Sequence, residues 1–291
     1  MIRRFAHSQR LISNRVGDRP SLLAAGGIYL VLGLMALLIG LPFFWMVVAS
    51  LKPIQDVFNF SQWLPIPPQW QNYSNALRQA SFGRYVFNST FTSVAILFGQ
   101  YLTIIPAAYA FARLSFPGRD LIFLGILATI MVPIQVTFIP AFVVISALGW
   151  KDTYWALIIP FISSAFGIFL LRQAFKQVPQ DFVDAARLDG CGHIGVMRHV
   201  MVPMTVPTLV TFGLFSFVAH FNDLFWPLIV TDSNELRTVP MGLASFIEFE
   251  GGTRWNDLLA ACLIGMLPLV LLFLFTQRFF IKGIASGGLK G

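Results

Sequence analysis

Chemistry in this chain must come from a few polar side chains set in apolar sequence. His220, Asn222, Asp223 and Trp226 lie close together in one apolar run, and Gln135 and Thr137 stand between Pro133 and Pro140 in another. A primary amide in hydrocarbon seeks a partner in a bundle interior or a water-filled cavity, and a carboxylate there is costly unless paired or hydrated. Aromatic planes beside amide and carboxylate groups suit a sugar, whose apolar C–H face stacks while its hydroxyls form hydrogen bonds. Gln135, Thr137, Asn222, Asp223 and Trp226 are therefore candidates for a solute path. A structural reading of the same residues stands beside it, in which Asp223 lies at the outer water boundary and pairs with a neighbouring subunit.

Bond-making chemistry is not visible. The sequence has no phosphate-cradling GxxxxGK[ST], no HExxH and no nucleophile-elbow GxSxG. His193 and His199 are six residues apart and point to different helix faces, and Cys191 and Cys262 form neither a CxxC nor a disulfide framework. No catalytic residue and no metal site are assigned.

A second polar feature is the stretch from Val178 to Pro203, which reads as a short helix, a glycine break and another short helix between long apolar runs. Pro179 suits a first helical turn, where Asp181 and Asp184 meet the positive end of the helix dipole, and Gly190 is a natural stop. Phe182, Ala185, Ala186 and Asp189 share one face, an aromatic beside residues too small to hold another protein's surface away. That face is suited to docking. Arg187 and Arg198 are the certain cations here, too few for a surface that tracks phosphates, so no nucleic-acid partner is expected.

The string Asp184-Ala185-Ala186-Arg187-Leu188-Asp189-Gly190, closed by Val200-Met201-Val202-Pro203, resembles the EAA loop of the membrane subunits of binding-protein-dependent ABC importers. Asp184 stands where Glu is usual, and Cys191 where a small residue, usually Ala, is usual. Asn222-Asp223-Leu224-Phe225-Trp226-Pro227-Leu228 resembles a run of the carbohydrate-type (maltose-type) permeases, with Phe221 in place of a Trp. Thr238-Val239-Pro240-Met241-Gly242-Leu243, Trp255-Asn256, Gln277-Arg278-Phe279 and Lys282-Gly283 resemble the outer loop and last-span ending of that group. The resemblance implies a coupling helix that fits a cleft on a cytoplasmic ATPase, with Phe182, Asp184, Ala185, Ala186, Asp189, Gly190 and Pro203 as coupling residues. The implied partners are a second related permease, two ATPase subunits that bind ATP and Mg, and an external solute-binding protein, with no cofactor in this chain. It also implies a bacterial inner-membrane location. Permeases for glycerophosphodiesters or glycerol 3-phosphate look much the same, and an ATP-independent secondary transporter is a reading from another class.

Composition sets the elements that must carry these residues. Hydrophobic residues make up 56% of the 291 and charged ones 11%, against about 25% charged in soluble domains, and mean hydropathy is +0.73. The chain is an integral membrane protein of all-α class, a type I ABC importer transmembrane domain by resemblance. Six spans are expected, at about 22–50, 88–112, 121–147, 155–175, 204–231 and 257–280. They follow a basic tail, 1–20, and precede a Gly-rich flexible tail, 284–291, so that the permease domain covers 21–283 and holds the coupling loop at 178–203. With six spans, fourteen Lys and Arg fall on the side of the N-terminus and six on the other, which puts both termini and the docking loop in the cytoplasm. Every expected span carries proline, which fits either kinks around an internal path or ordinary bundle packing. Between spans one and two, a short helix from Asn72 to Gln79 on the outer surface and an Asn88-Ser89 pair opening span two match the same family's pattern.

Overall fold

The computed structural model describes residues 22–78, 81–247 and 253–287. The basic tail at 1–20 and the last four residues of the Gly-rich tail lie outside them. Among the described residues there is no strand, so the backbone satisfies its polar groups within helices, as a hydrocarbon environment requires.

Span one is α1, Leu22–Ser50, which carries no charge and is apolar all round, as expected of a helix that meets lipid or another chain rather than water. It packs along the last helix. A short helix, α2 (Gln71–Arg78), follows. Span two is α3, Phe82–Arg113, which starts six residues before its expected boundary and passes through Pro106 without a break. It is the centre of the bundle and packs against the helices of spans four, five and six.

Spans three, four and five, each read as one proline-bearing run, are broken. In span three α4 (Arg119–Ile130) and α5 (Ile134–Ala147) meet at 99°. Pro133 explains the site of this break, because its ring pushes Val132 out of the helical region. In span four α6 (Tyr154–Phe161) and α7 (Ala165–Gln177) meet at 41°. Pro160 lies just before this break, and Ser164 restarts the chain by accepting the Gly167 N–H with its Oγ at 3.1 Å. Two further helices belong to the loop, α8 (Gln180–Leu188) and α9 (His193–Met204), and α9 meets α10 (Val206–Phe221) at 78°. Span five then breaks again before α11 (Phe225–Val230), so Asn222 and Asp223 lie between helices rather than inside one. The chain closes with α12 (Val239–Ala244) and α13 (Trp255–Gly287). Helix α13 runs four residues past the boundary expected at 283.

Long-range hydrogen bonds fasten the end of the bundle opposite the loop at 178–203. Asn72 gives its Nδ2 to the carbonyls of Ser50 and Lys52 at 2.8 and 3.0 Å, and its Oδ1 accepts from Asn256 at 2.9 Å. Asn88 Nδ2 donates to the carbonyls of Glu235 and Arg237, both at 2.8 Å, its Oδ1 accepts from Tyr154, and Ser89 Oγ accepts the Val239 N–H. Short amide and hydroxyl side chains thus clamp the loops that lead into span six, a role beyond opening span two.

Asp152 makes a third clamp. Its φ of 56° is in the left-handed region, which Asp tolerates better than most residues. Its Oδ1 accepts the N–H of Asp232 and Ser233 and the Ser233 hydroxyl, all at 3.0 Å. These bonds, the Ser233 backbone N–H first, hold the carboxyl below its ordinary value of 3.8. A carboxyl whose pKa falls on folding stabilises the fold above its unfolded pKa and loses that contribution as pH drops through the lowered value. Asp152→Asn is therefore expected to lower the melting temperature of the detergent-purified protein at neutral pH. It should also flatten the part of the acid-induced loss that falls below about pH 4; unchanged melting at both pH values would contradict this.

Candidate functional site

The loop from Val178 to Pro203 is built on a buried root. Val178 and Val183 from its first limb meet Val196 and Met201 from its second in one apolar cluster with Tyr109, Phe111, Leu171 and Phe175. Pro179, with φ −59° and ψ 141°, turns the chain out of α7 and into α8. Asp181 lies in the first turn of α8 and Arg187 in the last, each at the favourable end of the dipole.

Helix α8 ends in a Schellman motif. Gly190 has φ 84°, its N–H donates to the Arg187 carbonyl at 3.0 Å, and the Cys191 N–H reaches the Ala186 carbonyl at 2.9 Å. The chain reverses there and enters α9. Between Met197 and Met201 α9 widens to a π-turn, with the Val202 N–H bonded back to the Met197 carbonyl. Pro203 has no N–H to give and would crowd the carbonyl four residues earlier, so a local π-turn accommodates it. Thr205 closes the limb by donating its Oγ1 to the Met201 carbonyl at 2.8 Å.

The side chains expected to couple fall on two sides of this root. Phe182, Asp184, Ala185, Asp189, Gly190 and Pro203 are exposed. Asp184 Oδ1 accepts from Gln180 Nε2 at 2.9 Å, one turn earlier. Ala186 is the exception. It is half-buried and packs inward with Cys191 against the core cluster. Two apolar residues that sequence reasoning passed over are more exposed than Phe182, at 53%: Leu188 at 89% and Ile194 at 76%. Their signal was present, as branched aliphatics in an otherwise polar stretch.

The candidates for a solute path do not converge. Gln135 and Thr137 lie exposed on the first turns of α5, where Thr137 donates to its own helix at Ile134. Asn222 is exposed and returns its Nδ2 to the Val218 carbonyl. Asp223 Oδ1 accepts the N–H groups of Phe225 and Trp226 at 3.1 and 3.4 Å, which starts α11. Trp226, read from sequence as a stacking surface, is a core residue at 1% exposure. Its Nε1 donates to the Ala156 carbonyl at 2.9 Å, and its ring packs against Phe138 and Phe161. Asp223 and Trp226 do line one small cavity, together with Thr92, His220 and Thr238.

A polar cluster that the sequence reading missed sits at the break in span four. Gln100, buried on α3, donates its Nε2 to the Phe161 carbonyl at 3.0 Å and accepts the Ser216 hydroxyl on its Oε1, with His220 Nε2 at 3.4 Å. Thr103 donates to the Ile162 carbonyl at 2.7 Å. These are the carbonyls exposed where α6 ends. The rule that singled out Gln135, an amide in an apolar run, applies equally to Gln100. Gln100→Leu keeps the volume but leaves the Phe161 carbonyl and the Ser216 hydroxyl unpaired, which is expected to cost about 1–3 kcal/mol of stability in detergent unfolding.

Residues 101–286 match the family described as "Binding-protein-dependent transport system inner membrane component". The probable ABC transporter permease protein YurM of Bacillus subtilis (strain 168) is 34% identical over 266 residues, 91% of this chain and 88% of that protein. The arabinooligosaccharides transport system permease protein AraQ of the same organism is 32% identical over 89% of this chain and 93% of its own length. The sn-glycerol-3-phosphate transport system permease protein UgpE of Yersinia enterocolitica is also 32% identical, over 89% and 94%. Among solved structures, a chain of a bacterial ABC transporter involved in the import of the acidic polysaccharide alginate superposes with a TM-score of 0.78 at 22% identity. The superposition covers 90% of this chain and 98% of that one, a likeness of fold.

Proposed function

This chain belongs to the family of binding-protein-dependent transport system inner membrane components, a multi-pass permease subunit rather than an enzyme, and from that premise we propose that it imports a sugar or similar polar solute. In this reading an external binding protein delivers the solute, a second, related permease completes the path, and two ATPase subunits hold the ATP and Mg that drive it. Both termini and the coupling loop face the cytoplasm, a placement supported by the excess of Lys and Arg on that side.

One observation carries the reading. Two short helices at the end of the bundle, α8 and α9, present Phe182, Leu188 and Ile194 to the outside while Val183 and Val196 root them in the core. Exposed aromatic and aliphatic side chains rimmed by Asp184, Asp189 and Arg187 fit a protein surface. Closure of the ATPase dimer would push on this crown, and the rooted loop would carry the push into the spans. Phe182, Asp184, Ala185, Asp189 and Gly190 serve that contact, with Ala186 and Pro203 shaping the loop beneath it.

For the solute, similarity to AraQ favours an oligosaccharide, and similarity to UgpE at equal identity supports glycerol 3-phosphate as a second reading. Purified complex in liposomes, with its binding protein, provides the test. Oligosaccharides that stimulate ATP hydrolysis and accumulate inside would bear the proposal out, and stimulation by glycerol 3-phosphate alone would replace the sugar. Transport by the isolated chain without ATP would overturn it in favour of a secondary transporter.

A further inference from the structure

Both limbs of the coupling loop are held by one face of one helix. Tyr109 and Arg113 are four residues apart on α3 and so stand one above the other. Tyr109, itself buried, brings its hydroxyl to His193 Nδ1 at 3.1 Å, at the start of the second limb. Arg113 takes the first limb. Its Nη1 donates to Gln180 Oε1 at 2.8 Å, and its Nη2 donates to the carbonyls of Phe175 at 2.7 Å and of Val178. Gln180 in turn donates to Asp184, so a chain of hydrogen bonds runs from α3 to the acidic residue of the docking helix.

The tie to span four is reciprocal. Arg172 on α7 donates its Nε to the Phe111 carbonyl at 3.1 Å and lays its guanidinium on the Phe123 ring, 4.0 Å from the centroid. Each helix would otherwise end with unpaired carbonyls and a negative dipole end, and each receives the other's cation there. A planar guanidinium can serve several acceptors at once, which a lysine ammonium on a flexible stem does less well.

We propose that span two is the receiver of the coupling stroke, and that Tyr109 and Arg113 are positioning residues that make the coupling loop and the end of α3 move as one body. Because α3 packs against spans four, five and six, a push on the loop then reaches most of the bundle through a single helix. The inference rests on the coupling role proposed above for the loop, and the test keeps the two apart.

The complete complex, with partner permease, ATPases and binding protein, is reconstituted with wild-type chain, Arg113→Met, Arg113→Lys and Tyr109→Phe. Solute moved per ATP hydrolysed is then measured for each assembled complex. Loss of a charge-assisted hydrogen-bonded tie predicts about a tenfold fall in that ratio for Arg113→Met. A smaller fall is expected for Tyr109→Phe, and only partial recovery for Arg113→Lys. A merely structural role would lower the amount of complex and leave the ratio untouched, and that result overturns the proposal, as does full recovery by lysine. If Arg113→Met does not assemble, Tyr109→Phe decides, since it removes one oxygen atom. Absence of ATP-driven uptake by the wild-type complex would instead sink the coupling role itself.

Discussion

Gly190→Val is expected to reduce solute uptake by about tenfold or more, while the chain still inserts and still binds its ATPase. The residue sits at φ 84°, and a Cβ built there meets nothing within 4 Å. Crowding is therefore not the obstacle; the backbone conformation is. An L-residue held in the left-handed region costs about 1–2 kcal/mol, and β-branching makes it worse. The chain can avoid that cost by giving up the two bonds that close α8, from Gly190 N–H to Arg187 and from Cys191 N–H to Ala186. Without them Ala186 and Cys191 leave the core, and α9 no longer departs at a fixed angle from α8. A loosened joint absorbs the push that should reach the spans. Gly190→Asn is the control, since Asn accepts this conformation more readily, and it should keep most of the uptake. Uptake and ATP hydrolysis measured on the same proteoliposomes check the prediction, and a valine variant that couples normally would count against a rigid joint.

That joint was legible in the sequence because everything that makes it is local. Pro179 starts the helix, Gly190 stops it, and the residues that answer each other are within six positions. The breaks in spans three, four and five were not legible in the same way. Pro106 and Pro268 sit inside continuous helices, whereas Pro133, Pro160 and Pro207 border breaks. At the break in span four the relevant acceptors are paired from far away in the chain: Gln100 and Thr103 reach Phe161 and Ile162 across 61 and 59 residues. A proline alone states only that one hydrogen bond is lost. Whether the helix bends depends on who can take up the freed carbonyls. Trp226 shows the same limit. Its type and neighbours suggested stacking on a sugar, but the Ala156 carbonyl, 70 residues earlier, gives its N–H a buried partner. Asp223 was weighed as a path residue or a carboxylate at the water boundary, and its Oδ1 takes its partners from the first turn of α11.

Gly167→Leu is expected to abolish folded protein rather than coupling. Gly167 lies where spans two, four and five converge. A Cβ added there would stand 2.7 and 2.8 Å from ring carbons of Phe212 on α10 and 3.1 Å from Ile104 Cδ1 on α3. Neither neighbour has room to yield, because both are buried in the cluster that also roots the coupling loop. Overpacking a filled core costs about 1–3 kcal/mol for a small excess, and four carbons at a site with no space for one should exceed that range. Separation of the helices is the other way to relieve the clash. In a membrane, where close approach of small residues holds helices together, separation removes what joins span four to span five. Gly167→Ala should lower the melting temperature of the detergent-purified chain, and Gly167→Leu should leave little chain to purify. Adding Phe212→Leu to Gly167→Ala should recover part of the loss, since it removes the ring that the new methyl meets. The readouts separate this glycine from Gly190. Uptake and ATP hydrolysis should fall together with the amount of folded protein in the Gly167 series, whereas in the Gly190 series uptake should fall alone. If Gly167→Leu accumulates and melts like wild type, spans four and five do not approach as closely as the Phe212 contact requires.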